Sequence, residues 1–219
     1  ETYTLSLHCA LPSFTQQMSS WLNPLPPEIT EWSIHRGLLH ARCDEPEQIP
    51  QSSWPWEWTS QLSLSASRLQ TGTAQSLAES AVLRHLNAIH FAQCSISEGS
   101  ALALAQSEHF EQIRELGIFH QRWNRGLQAL ALAMPHLCSL ILGSIDSDER
   151  PLEALSSTSI FQQLRKLDLY RVTLGVESMS ALVRSSFPHL RELKLDGCYY
   201  SGTPEMIVLA QGSFPVLTE

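Results

Sequence analysis

A chain of 219 residues with 43% hydrophobic and 16% charged side chains has the apolar mass for a packed core and too little charge for a disordered polymer. Its formal net charge of −8, with no cluster of Lys and Arg, argues against nucleic acid or an anionic membrane as partner, because phosphate recognition needs clustered cations. No apolar run reaches about 18 residues and no basic-then-apolar leader opens the chain, so neither a membrane span nor a signal peptide is expected.

Taken in chain order, one short unit recurs. It is loose at Leu5 and Leu7, and it returns with aromatic substitutions at Ile29, Trp32, Ile34 and Leu39. Leu62, Leu64 and Leu69 form the next copy, followed by Leu86, Ile89, Phe91, Cys94 and Ile96. Ile113, Leu116, Ile118 and Trp123 continue the series, as do Leu137, Leu140 and Leu142. The clearest copies are Leu164, Leu167 and Leu169, then Leu190, Leu193, Leu195 and Cys198. The central positions, Leu5, Trp32, Leu62, Ile89, Leu116, Leu140, Leu167 and Leu193, lie 24 to 30 residues apart. Eight copies at that spacing match the leucine-rich template LxxLxLxxN/C.

Within each copy the LxL alternation has the period of a strand, so Leu193 and Leu195 point one way and Lys194 the other. Between copies the period lengthens. Apolar residues at 99–105, 126–134 and 177–183 fall at helical spacing, which predicts strand, turn, short helix and return loop in every unit. The run from Gly99 to Ile118, with Ala101, Leu102, Ala103, Phe110, Ile113 and Leu116, resembles the ribonuclease-inhibitor-like class of leucine-rich repeats, especially those of large bacterial multidomain proteins. Residues 178–195 repeat the likeness. The resemblance is convincing over 58–219 and weaker over 1–57. It implies an α/β solenoid, a horseshoe with a parallel β-sheet on its concave face and short helices on its convex face. It also implies a binding role, and it supplies no catalytic residues to carry over.

The whole of 1–219 is therefore expected to be one repeat domain, with degenerate repeats over 1–57. One segment breaks the rhythm: 44–58 holds Pro46, Pro50, Trp54, Pro55, Trp56 and Trp58 where a helix belongs. Proline fixes φ and removes a donor, so an extended convex-side loop is expected, its tryptophans either packed back as a lid or forming an interaction patch. Phe214, Pro215 and Leu217 repeat Phe187, Pro188 and Leu190, opening a ninth copy. An uncapped solenoid end exposes its core, so the native protein is expected to continue beyond Glu219.

The five cysteines, Cys9, Cys43, Cys94, Cys138 and Cys198, are scattered and form no CxxC pair. They read as free thiols in a reducing, cytoplasmic compartment. Cys94 and Cys198 sit four repeats apart, roughly 19 Å at one strand spacing per repeat, which is too far for a disulfide. His8, His35, His90 and His120 fall on concave positions but on different repeats, so no metal site is expected. No nucleophile elbow, phosphate loop, metalloprotease helix or dinucleotide loop is present, so neither an enzyme nor a cofactor is expected.

Function is then expected on the residues that flank each inward pair. His90, Phe119, His120, Ile141, Asp168, Tyr170, Arg171 and Lys194 are the candidates, because aromatics and Arg anchor interfaces. The expected activity is protein–protein interaction through the concave sheet. The alternative is a sensing or regulatory repeat region of a larger enzyme or immune-type sensor whose active domain lies outside this chain. A GTPase-activating solenoid would need an exposed loop arginine; Arg122 and Arg171 are available, and nothing else supports it.

Overall fold

The computed structural model describes residues 29–35, 38–51, 56–65, 68–145, 150–200, 202–212 and 217. The described strands are β1 (Ile29–His35), β2 (Leu38–Cys43), β3 (Thr59–Leu64), β4 (Ala88–Ala92), β5 (Glu115–Phe119), β6 (Ser139–Gly143), β7 (Lys166–Tyr170), β8 (Thr173–Leu174), β9 (Glu192–Lys194) and β10 (Tyr199–Tyr200), and the apolar pairs of the repeats from Leu62 to Leu169 lie in β3 to β7. Eight of them make one sheet in the spatial order β1-β2-β3-β4-β5-β6-β7-β9, and β8 and β10 pair separately in parallel. From β2 onward every neighbour in the large sheet is parallel.

The register is the one the repeat demands. Leu62, Ile89, Leu116, Leu140, Leu167 and Leu193 stand side by side as one ladder across six strands. The first five are fully buried, as are Leu64, Phe91, Ile118, Leu142 and Leu169 two residues on. Burying each such side chain contributes about 1.5–3 kcal/mol, so the ladder holds the solenoid along its length.

Behind the sheet lie α1 (Thr71–Glu79), α2 (Glu98–Ala105), α3 (Arg125–Leu132), α4 (Pro151–Ser156), α5 (Ile160–Gln163), α6 (Val176–Arg184) and α7 (Thr203–Ala210). The predicted helical segments at 99–105, 126–134 and 177–183 correspond to α2, α3 and α6. Side-chain caps start two of them: Ser97 Oγ accepts from the Ser100 amide at 3.1 Å, and Asn124 Oδ1 accepts from the Leu127 amide at 3.0 Å. Asn124 also donates from Nδ2 to the Ile96 carbonyl at 3.2 Å, tying its repeat to the preceding one. Phe110, Phe161 and Phe187, three residues before the first Leu of their repeats, fill the core, and Phe161 and Phe187 pack with ring centroids 4.8 Å apart. A helix layer is wider than a strand layer, so this arrangement is a leucine-rich solenoid that curves with its sheet on the inside.

The N-terminal edge departs from the repeat. Trp32 and Ile34, expected in a parallel repeat strand, lie in β1, which pairs antiparallel with β2. Ala41, not Trp32, stands beside Leu62. Two residues separate β1 from β2, and a parallel crossover needs a dozen or more, so the chain can only fold back as a hairpin. The stretch 44–58, expected to be extended, contains short 3-10 turns at Ile49–Gln51 and Trp56–Trp58. Trp56 is buried, Trp58 is 64% exposed and Trp54 lies outside the described residues. The copy at Leu5 and Leu7, Cys9, and the ninth copy's Phe214 also lie outside them.

The strands end in a repeated backbone device. Gln93, His120, Ser144 and Arg171, each the residue after its strand, have φ between 51° and 55°, and Gly197 at the matching place has 61°. Their amides point along the sheet: His120 N donates to Gly143 O at 2.9 Å, Ser144 N to Tyr170 O at 2.7 Å and Arg171 N to Asp196 O at 3.0 Å. A left-handed L-residue costs about 1–3 kcal/mol, held in place here by the stacked repeats around it.

Candidate functional site

The face of the sheet away from the helices carries three parallel columns of side chains, set by the strand register. The first runs His40, Gln61, Ala88, Glu115, Ser139, Lys166, Glu192. The second runs Arg42, Ser63, His90, Gly117, Ile141, Asp168, Lys194, and the third Ala92, Phe119, Gly143, Tyr170. Six of the eight predicted residues, His90, Phe119, Ile141, Asp168, Tyr170 and Lys194, therefore share this face. His120 and Arg171 stand at its rim, in the left-handed turns just beyond β5 and β7, and both are exposed. Arg171 folds back so that its guanidinium lies 5.1 Å from the centre of the Tyr170 ring.

Two glycines shape the middle of the face. A Cβ on Gly117 would stand 2.7 Å from His90 Cδ2 and 2.8 Å from Phe119 Cε2, and one on Gly143 would stand 3.0 Å from Phe119 Cε1 and overlap Cδ1. The His90 and Phe119 rings thus lie sideways over the backbone of the next strand, edge to face with centroids 6.0 Å apart. Lacking side chains, Gly117 and Gly143 give these rings their seats.

A polar chain crosses four strands beside them. Gln61 Nε2 donates to His90 Nδ1 at 3.1 Å, His90 Nε2 donates to Glu115 Oε1 at 2.9 Å, and Ser139 Oγ donates to Glu115 Oε2 at 2.8 Å. Burial pushes the Glu115 carboxyl up, but these two hydrogen bonds and the charges of His90 and Lys166 outweigh it and hold it below the usual range. On the next strands Lys166 Nζ lies 4.0 Å from Asp168 and 3.8 Å from Glu192, and Lys194 Nζ lies 2.8 Å from Glu192. Asp168 is raised by burial against the pull of Lys166 and Lys194. At the N-terminal edge Arg42 donates to Glu31 at 3.2 Å, Asp44 at 3.2 Å and Ser65 at 2.8 Å.

At the start of the first column the face opens into a cavity of about 290 Å³, lined by His35, His40, Gln61, Asn87, Arg114 and Glu115 among others. The His35 and His40 rings are 5.5 Å apart. Burial, then the neighbouring His35 and His90, hold His40 below its ordinary value, with Glu115 pulling the other way. His40, Arg114 and Asn87 were not expected at a site. A periodic signal for two of them exists: Asn87, Arg114 and Cys138 each follow the first aliphatic residue of their repeat, and all three line this cavity.

Among the described residues no group of three His, Cys, Asp or Glu side chains is placed to hold a metal ion. The cysteines described, Cys43, Cys94, Cys138 and Cys198, are not in disulfides, and Cys198 Sγ donates to the Leu169 carbonyl at 3.2 Å. No described helix is long and apolar enough to cross a membrane.

No family model and no curated protein matches this chain. Among solved structures, an internalin from Listeria monocytogenes is similar over 72% of this chain and 54% of its own, with 12% identity and a TM-score of 0.34. The chain thus spans about half the length of that neighbour. The solenoid architecture stands on the strand register and the buried leucine ladder described above.

Proposed function

We propose that this chain is a protein-interaction module that holds a protein partner on its concave sheet, with Phe119, Ile141 and Tyr170 as the apolar anchors. The observation that carries the reading is the seating of Phe119 on Gly143, which leaves one aromatic ring spread along the sheet between Ile141 and Tyr170. A partner would meet a surface that is already ordered, so little conformational entropy is lost on association. Asp168, Lys194 and the rim residues His120 and Arg171 surround the anchors with charge, which favours specificity and orientation over raw affinity. His90 supports the patch from the side through its contact with Phe119.

A photo-cross-linking residue tests the face whatever the identity of the partner. Placed at Tyr170, 39% exposed, it is expected to yield one dominant protein adduct; placed at Leu132 on the convex side, 47% exposed, it is expected to yield none. The Tyr170→Ala, Arg171→Ala double variant is expected to lose the partner while keeping its circular dichroism spectrum. Partner capture equal to wild type in that double variant would rule the concave reading out.

A further inference from the structure

We propose that Tyr170 and Arg171 form one recognition unit for an acidic residue on the protein partner. The guanidinium takes its carboxylate while the Tyr170 ring packs against an apolar residue beside it. This rests on the concave-face reading and adds the chemistry of one contact to it. Arg171 is held at three points. Its amide donates to Asp196 O at 3.0 Å, which ties the turn that carries it to the next repeat. Its stem runs past Gly197, where an added Cβ would stand 3.4 Å from Arg171 Cγ. Its guanidinium then returns to the Tyr170 ring, 5.1 Å from the centre. A long side chain fixed in this way loses less entropy on binding, and contact with a ring uses none of the five N–H donors of an arginine.

The other cations around the aromatic patch already have partners. His90 is paired with Glu115, Lys166 with Asp168 and Glu192, and Lys194 with Glu192. Among the described residues no carboxylate pairs with Arg171, which is exposed, so its donors stand open to an acceptor from outside. One fork of donors matches one carboxylate. Asp168, on the same strand and face as Tyr170, would repel the double charge of a phosphate more strongly than the single charge of a carboxylate. The pairing of a ring with a polar rim residue recurs at Phe119 and His120, two strands or roughly 10 Å away. A partner lying across the strands therefore meets an apolar row with a polar row beside it, and its acidic residue falls in the polar row at Arg171.

The probe is a phage-displayed library of random peptides, selected on the folded chain and counter-selected on Tyr170→Ala. Enriched peptides are expected to carry Asp or Glu beside an aromatic or aliphatic residue. A synthetic copy of the best is expected to bind Arg171→Gln about three- to tenfold more weakly than wild type, and Arg171→Glu more weakly still. Gln93 holds the matching place with φ 55°, so glutamine is a residue this turn accepts and the substitution removes the charge alone. Tyr170-dependent peptides that lack an acidic residue, or that bind Arg171→Gln as tightly as wild type, would overturn the acidic contact and leave the concave reading standing. Tighter binding after phosphoserine replaces the acidic residue would overturn the carboxylate assignment. A selection that yields no Tyr170-dependent peptide would overturn the concave reading and this inference with it.

Discussion

The ring of Phe119 lies on the backbone of Gly143, its register neighbour on the next strand, so closely that any Cβ at Gly143 would collide with it. Gly143→Ala is therefore expected to unseat the ring and cost about 1–3 kcal/mol in urea unfolding, the usual range for overpacking. In a Phe119→Ala background the same substitution is expected to cost almost nothing, giving a coupling energy in the double-mutant cycle close to the single-mutant loss. Additive effects would show that the ring has no seat there.

A second glycine separates packing from propensity. In α3, a Cβ on Gly126 would stand 2.5 Å from the Glu98 carbonyl and 2.8 Å from Ala101 Cβ of α2. In α1, a Cβ on Gly72 would meet nothing within 4 Å. Gly72→Ala is expected to stabilise the chain by about 0.5–1 kcal/mol through helix propensity. Gly126→Ala is expected to destabilise it by about 1–3 kcal/mol because the two helices must move apart. Thermal unfolding of the pair reads both signs.

Asn124 joins a helix cap to a tie between repeats. Asn124→Ala is expected to cost about 1–2 kcal/mol, the usual loss of an N-cap, enlarged by the freed Ile96 carbonyl. Asn124→Asp keeps the cap acceptor but removes the Nδ2 donor to Ile96. Its loss is expected to fall between wild type and Asn124→Ala in urea midpoint, and equality with wild type would show that the inter-repeat bond contributes nothing.

Acid stability isolates His40. Its folded value is below its unfolded one near 6.5, so the unfolded chain binds the proton first as the pH falls. The stability from the neutral ring is present above pH 6.5 and is lost on acidification through the lower folded value. Glu115, also depressed, contributes stability that is present above the unfolded glutamate value and is lost only on falling through its lower folded value. Between about pH 7.5 and 5.5 the loss is thus a histidine effect. His40→Gln is expected to show a smaller drop in urea midpoint over that interval than wild type, and an equal drop would remove His40 as its source.

Much of the solenoid was legible in the residues because the repeat is periodic. The alternation at Leu167 and Leu169 dictates a strand with one buried face, and the same signal recurring every 24 to 30 residues dictates that the strands stack in register. Six predicted ladder positions fall on one line. The prediction failed at Trp32, where an aliphatic-aromatic pattern suited either a repeat strand or a hairpin arm, and only the short connection to β2 decided between them.

The binding face was legible in part. Alternation alone assigns His90, Phe119, Ile141, Asp168, Tyr170 and Lys194 to the side opposite the leucines. It cannot say that His90 and Phe119 lie flat, because that depends on Gly117 and Gly143, each about one repeat further along the chain. Nor does it reveal that Arg114 and Asn87 line one cavity with two histidines of the N-terminal hairpin, since that hairpin interrupts the repeat. Residues alone determined the solenoid, its ladder and the side of the sheet on which function is sought, because those depend on a local period of two repeated every 24 to 30 residues. Tertiary structure decided the flat aromatic seat, the histidine–arginine cavity and the antiparallel edge. Each of these arises where side chains from different repeats meet, and local periodicity carries no information about that meeting.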